Sequence, residues 1–356
     1  MNNSIEVAGV KIGPQEPCYI IAEAGVNHNG SLEIAKKLVD AAKEAGADAV
    51  KFQAFTSKEL VTAEATQATY QTENTRKEES QLAMLQRLEL ADKEFGELKA
   101  YCDKQGVLFL TTPHTADKLG MLDKLVPTFK IGSGDLTNHP FLEAVADRGK
   151  PIILPTGMST FAEVQEAVDV ILKRGNKQIV LLHCTTNYPC PRNEVNLRAM
   201  ETLKTLGQLT GYSDHTMGID VSQMAVQMGA VLIEKHFTLD RTMDGPDHKA
   251  SLEPSELKEM VTRIKNGSYK EVLLDQEILG DPIKQPTESE RKIMLVARKS
   301  IVVAAPIVKG EKFTPENLII KRPGTGLAPK YYSSILGKTA KKDFNVDDLL
   351  SMEDVA

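Results

Sequence analysis

From Cys18 onward, short runs of continuously apolar residues recur along the chain, each followed by a stretch in which apolar positions return every three or four residues. The first pair is CYIIAEAGV and SLEIAKKLVDAAKEAGA, where Leu32, Ala35, Leu38, Val39 and Ala42 fall on one face of a predicted helix. Seven further strands are predicted at AVKFQAF, VLFLTTP, TFKIGSG, PIILPTG, IVLLHCT, LTGYSD and VLIEKHF. Helical patterns separate most neighbours, with EVNLRAMETLKTLG and GIDVSQMAVQMGA among the clearest. Strands that are apolar on both faces and alternate with helices belong to a parallel sheet covered on both sides. Eight such units in about 250 residues match a (β/α)8 TIM barrel better than an open doubly wound sheet.

Two stretches break the rhythm. Residues 56–90 form a loop too long for a simple connection, and such loops are lids, binding loops or disordered segments; ESQLAMLQRLEL within it predicts a helix. After SELKEMVTRIKNG, the charged stretch 268–292, with GDPIKQPTESERK, reads as a linker. The expected division is therefore a barrel over 1–267, the linker, and a small β-rich domain over 293–356, where short apolar runs are punctuated by Pro and Gly.

Composition narrows the class. The chain has 356 residues, 41% of them hydrophobic, enough for a large core and a satellite domain. A net charge of −6 with interspersed signs argues against a nucleic-acid surface, and no apolar run reaches the roughly 18 residues of a membrane helix. The four cysteines form no CxxC pair and no charged-then-apolar leader opens the chain, so a cytoplasmic protein without disulfides is expected.

In a barrel of this type, chemistry gathers where the strands end. The strand-end polar residues are Glu23, Lys51 and Gln53, Thr112, Lys130 and Ser133, Thr156, Thr185, Ser213 and His215, and His236. The seventh and eighth strands are neighbours, so His215 and His236 can share one metal ion. Two imidazoles leave several coordination positions open, as a catalytic site requires, and by themselves would equally accept zinc, cobalt or iron. The remaining histidines, His114, His139, His183 and His248, read as structural, and His28 as a residue that orders the first loop.

Taken together, IIAEAGVNHNG, KFQAF, KIGSGD, LLHCTTNYP, GYSDHT, IEKHFTLD, GPDHKASLEP and KRPGTG closely resemble the sialic acid synthase family of bacterial N-acetylneuraminate and legionaminate synthases. The resemblance covers nearly the whole chain, and the C-terminal part resembles that family's antifreeze-like (SAF) domain. It implies condensation of phosphoenolpyruvate with an open-chain N-acetylated hexosamine, N-acetylmannosamine in the first instance, to N-acetylneuraminate and phosphate. The alternative is a legionaminate synthase acting on 2,4-diacetamido-2,4,6-trideoxymannose, and AEAGVNHNG and GYSDHTMGI look slightly closer to that branch. A divalent metal is implied, manganese first and magnesium or cobalt next. So is a domain-swapped homodimer in which the SAF domain of one chain brings Arg322 to the other chain's barrel.

The family's pattern places Lys51, Lys130, Thr112, Ser133 and Ser213 around phosphoenolpyruvate, and Glu23 in charge of protons; the bland reading of Glu23 is an ion pair with Lys51 or Lys130. Gln53, Asp135, Tyr188 and Asp247 match sugar-contacting positions, with Arg322 at the N-acetyl group. One departure is LPTGM where family members commonly read LSTGM. Pro155 offers neither hydroxyl nor N–H, so the phosphate contact is lost or passes to Thr156. Two other classes fit a barrel: a Schiff-base aldolase using Lys130 or Lys51 as nucleophile, and a non-catalytic sugar-binding protein.

Overall fold

The computed structural model describes residues 4–356. The chain opens on a hairpin of β1 (Ile5–Val7) and β2 (Val10–Ile12), turned through left-handed Ala8 and Gly9. Ile5, Val7 and Ile12 join Tyr19, Leu209 and Leu232, residues at strand beginnings, in one buried cluster, so the hairpin plugs the N-terminal end of the barrel.

The barrel strands are β3 (Tyr19–Gly25), β4 (Ala49–Ala54), β5 (Leu108–Pro113), β6 (Phe129–Lys130), β7 (Ile152–Pro155), β8 (Ile179–His183), β9 (Leu209–Asp214) and β10 (Leu232–His236). Their order is β5-β4-β3-β10-β9-β8-β7-β6, every pair is parallel, and β5 lies beside β6 to complete the ring. The eight strands are those the apolar runs predict. The first outer helix, Leu32–Ala45, shows how local signals set its limits. The Ser31 hydroxyl accepts from the Ile34 N–H, Gly46 ends the helix at φ 80, and Ala35, Leu38, Val39 and Ala42 are buried against the sheet.

The long loop after β4 is built, not loose. It holds helices Ser57–Leu60, Thr69–Thr75 and Gln81–Leu88, the last of which the sequence predicts. Leu60, Val61, Ala65, Met84, Leu85 and Leu88 pack on Val26 and Phe55, giving this lid an apolar core of its own.

The stretch expected to be a linker is instead strapped to the barrel. Ile278 and Leu279 are buried, and their carbonyls accept from the N–H groups of Leu197 and Arg198 at 3.0 Å; farther on, the Lys284 carbonyl accepts from Phe161 N–H. The expected boundary at residue 292 falls inside a helix, Glu288–Ala297, whose Ile293, Val296 and Ala297 line the barrel mouth. The C-terminal domain follows, with β11 (Ser300–Val303) and β12 (Leu318–Lys321) antiparallel over a core that includes Ile301, Phe313 and Phe344. It docks on the mouth of its own barrel: Val61 and Arg322 form a β-bridge, and Lys299 Nζ lies 2.7 Å from Asp135.

Candidate active site

Register brings the site together. Across the ladders, His236 lies opposite Glu23 and Glu23 opposite Lys51, while Glu234 lies opposite Ser213. Residues paired this way share a face, and here that face is the barrel interior at the C-terminal ends of the strands. The β3–β4 ladder slips between Glu23 and Gly25, and Gly25 is left-handed at φ 54. A Cβ there would lie 3.2 Å from Gln53 Nε2 and 3.3 Å from both Glu23 and His236, so glycine makes room for three side chains at once.

At the floor of the resulting cavity, of about 1030 Å³ including its open mouth, two lysines alternate with two carboxylates. Lys51 Nζ is 2.6 Å from Glu23 and 3.7 Å from Glu234, and Lys130 Nζ is 3.0 Å from Glu234. Lys51 also donates to Thr112 Oγ1 at 2.9 Å, Ser213 to Glu234 at 3.0 Å, and Gln53 to Glu23 at 3.1 Å. All four charges are buried, so each depends on its partners for its ionised form. Burial raises the Glu23 carboxyl above the usual range and outweighs the pull of Lys51. Burial also acts against Lys51, yet the Glu23 and Glu234 carboxylates leave it raised. Lys130, held chiefly by Glu234, is lowered by burial. Burial opposes ionisation of Glu234, and the two lysines reverse this and hold it below the ordinary range.

Above this quartet, the rings of His215 and His236 meet edge-on, with centroids 5.7 Å apart and planes at 64°. The fit to a metal is readable from their donors. His215 Nδ1 lies 2.7 Å from the Thr185 carbonyl oxygen, which only an N–H can satisfy, so Nε2 carries the lone pair. His236 Nδ1 is buried without a partner. Burial lowers His215 to about 4 and takes His236 well below its ordinary value, keeping both imidazoles neutral, the form that binds metals. Among the described residues, no group of three or more His, Cys, Asp or Glu is arranged around a common ion position, so any ion here rests on two imidazoles plus water or substrate. Tyr188 packs against both rings, edge-on to His236, and its hydroxyl lies 3.2 Å from His215 Nε2.

The roof comes from the lid and the C-terminal domain. Tyr70 packs against Tyr188 with tilted rings, centroids 5.1 Å apart, and Asn74 of the same helix donates to the Pro246 carbonyl. Arg322 is fastened by its main chain: its N–H donates to the Leu60 carbonyl at 2.9 Å, and its carbonyl accepts from Thr62 N–H at 3.0 Å. Its buried Nε has no partner. Asp247, also on the wall, is raised to about 7 by burial and by Glu23.

Of the residues singled out by sequence, Glu23, Lys51, Gln53, Thr112, Lys130, Ser133, Tyr188, Ser213, His215, His236, Asp247 and Arg322 all line this one cavity. Asp135, Thr156 and Thr185 do not; the Thr185 hydroxyl donates to the Glu194 carbonyl at 2.9 Å. The Thr156 hydroxyl donates to the Leu182 carbonyl at 3.0 Å, because Pro155 takes the inward position and the next residue on the strand must turn the other way. Asp135 is held by Lys299 and Asn138 at the domain junction. Arg322 reaches the mouth of its own chain's barrel in the single chain described, where the resemblance implies a partner's.

Sequence reading missed Glu234, although the signal was there: it lies two residues before His236, and a strand's alternation puts both on one face. His114, read as structural, lines the cavity with a buried, unpartnered Nδ1. Tyr70 carried no pattern that could mark it, since its place depends on how the lid folds back.

Comparison with known proteins agrees with this geometry. Residues 38–272 match the NeuB family and residues 298–356 the SAF domain. The chain is 48% identical to the N,N'-diacetyllegionaminic acid synthase of Campylobacter jejuni, over 93% of this chain and 98% of that one. It is 41% identical to the enzyme of the same name from Legionella pneumophila, covering 100% and 99%. Among solved structures, the spore coat polysaccharide biosynthesis protein spsE of Bacillus subtilis superposes with a TM-score of 0.85 at 34% identity, covering 99% of each chain.

Proposed function

Because the chain belongs to the NeuB family of nonulosonic acid synthases, we propose that it condenses phosphoenolpyruvate with 2,4-diacetamido-2,4,6-trideoxymannose, giving N,N'-diacetyllegionaminate and phosphate. This sugar replaces N-acetylmannosamine, which the sequence put first. The observation that carries the choice is the apolar upper wall. Val26, Phe55, Leu60, Met84, Leu85 and Leu88 line the lid side of the cavity, and they suit the methyl at carbon six and the second acetamido methyl better than the hydroxyls of N-acetylmannosamine.

In the proposed reaction, carbon three of phosphoenolpyruvate bonds to the sugar's aldehyde carbon and the aldehyde oxygen takes a proton. Water then adds at carbon two, and the carbon–oxygen bond to phosphate breaks. Lys51, Lys130, Thr112, Ser133 and Ser213 bind the phosphate and carboxylate; the lysines release part of their hold on Glu23 and Glu234 to do so. Glu23, 2.6 Å from Lys51, moves the proton, its carboxyl raised above the usual range by burial. His215 and His236 would hold a divalent ion, manganese by resemblance, which when bound supplies Lewis-acid polarisation of the aldehyde oxygen. Gln53, Tyr188, Asp247 and Arg322 orient the sugar.

The homodimer belongs to the same proposal. Exchange of an identical domain between two copies preserves its contacts, so the Arg322 contacts of the single chain would recur between chains. The deciding experiment is phosphate release from phosphoenolpyruvate with each sugar in turn. Faster turnover of N-acetylmannosamine would overturn the choice of sugar, and borohydride trapping of pyruvate on Lys51 or Lys130 would replace the synthase with an aldolase.

A further inference from the structure

Nothing in the proposed chemistry uses the helix Glu288–Ala297, yet it sends one carboxylate deep into the barrel mouth. Glu290 is fully buried. Its Oε2 accepts from Thr287 N–H at 2.9 Å, which caps the helix. Its Oε1 does something a cap does not need. It accepts from Met158 N–H at 2.6 Å and from Thr186 N–H at 2.7 Å, joining the loop after β7 to the loop after β8.

Met158 is a special point in that loop. Its φ of 60 lies in the left-handed region, which residues with a side chain occupy only when their surroundings enforce it. Both of its main-chain polar groups are held by the connecting segment: the N–H by Glu290 and the carbonyl by Arg298 Nη2 at 2.5 Å, with Arg298 itself braced on Glu163 at 2.8 Å. The adjacent Gly157 shows how tightly the corner is drawn. A Cβ there would lie 2.1 Å from Thr186 Oγ1 and 2.9 Å from Ser133 Oγ. The Thr186 hydroxyl is buried, has no hydrogen-bond partner and belongs to a residue lining the cavity beside Pro155 and Ser133.

We propose that Glu290 is a positioning residue for the anion-binding end of the cavity: by holding the Met158 and Thr186 amides on one oxygen, it presents the Thr186 hydroxyl next to Ser133, as the phosphate donor that Pro155 cannot be. The role rests on the proposed phosphoenolpyruvate reaction. Removing the carboxylate orphans two buried N–H groups and lets Met158 leave its left-handed state, which withdraws this corner. The sugar end, roofed by the lid and Arg322, shares none of these bonds.

The test is steady-state phosphate release by the full chain, varying each substrate at saturation of the other. Glu290→Ala is expected to raise the Michaelis constant for phosphoenolpyruvate about tenfold or more, since a small misplacement of binding groups costs that much. The constant for the sugar should stay within about twofold. Glu290→Gln should recover most of the loss, because one amide oxygen can still accept from both N–H groups. Glu290→Asp keeps the helix cap but is a methylene too short for the loops, so it raises the same constant and serves where the alanine variant does not fold. A folded alanine or aspartate variant with the wild-type constant for phosphoenolpyruvate overturns the role, as do equal rises for both substrates. A wild-type chain that releases no phosphate from phosphoenolpyruvate overturns the function itself, and the two failures are thereby told apart.

Discussion

Glu23 Oε2 lies 2.6 Å from Lys51 Nζ, directly across the β3–β4 ladder, and both side chains are buried. The pair meets the expectation of an ion pair between Glu23 and Lys51; under the proposed function, an anionic substrate that draws Lys51 away would free the same carboxylate to move a proton.

Glu23→Gln keeps the shape and the acceptor for Lys51 while removing the titrating group. Turnover is expected to fall by about 10²–10⁴, the usual contribution of a positioned acid–base group. Rapid-quench measurement of phosphate release checks it; loss of binding with normal turnover would assign Glu23 to positioning alone.

Asp247 gives a pH dependence of stability. Its folded value is raised from 3.8 to about 7, so the folded state holds its proton more tightly than the unfolded chain. The stability this contributes is complete below about pH 4 and is lost as pH rises through 7. Asp247→Asn, whose amide stays neutral, should therefore raise Tm by several degrees at pH 8 and by little at pH 4, measured by thermal unfolding. An equal gain at pH 4 and pH 8 would contradict the assignment.

His236→Ala would remove one of the two imidazoles of the proposed metal site. Loss of supporting contacts alone costs metal sites about 10–100-fold in affinity, and loss of a ligand should cost at least that. Manganese binding to the substrate-free protein, followed by electron paramagnetic resonance, reads this without reference to turnover. Unchanged affinity would remove the metal from His236.

Mixing two inactive variants addresses the assembly. In a domain-exchanged dimer, Arg322→Ala and His236→Ala chains combine so that one site of each mixed dimer is intact, restoring about a quarter of wild-type activity after co-refolding. No recovery would leave Arg322 serving its own barrel, the arrangement of the single chain.

Pro155→Ser restores a hydroxyl at a position that lines the cavity, where Thr156 cannot substitute because its hydroxyl is committed to the Leu182 carbonyl. The Michaelis constant for phosphoenolpyruvate should fall by about three- to tenfold, the value of one hydrogen bond of about 1 kcal/mol. Equal constants would show that the proline costs nothing.

The sequence by itself determined the eight strands, their parallel closure and most of the site, because continuous apolar runs, helical spacing and strand-end polar residues are local patterns, and the barrel topology turns strand ends into one mouth. Strand alternation also contained two facts left unread: Glu234 must share a face with His236, and Pro155 and Thr156 cannot both point inward. Only the tertiary structure decided the rest. It turned the stretch after residue 267 into a strap, folded the lid over an apolar core of its own, drew Asp135 to Lys299 and fixed Met158 between Glu290 and Arg298. Each of these joins segments far apart in the chain, and such contacts are settled by burial and by pairing of charges across a closed mouth, which leaves no period in the sequence to read.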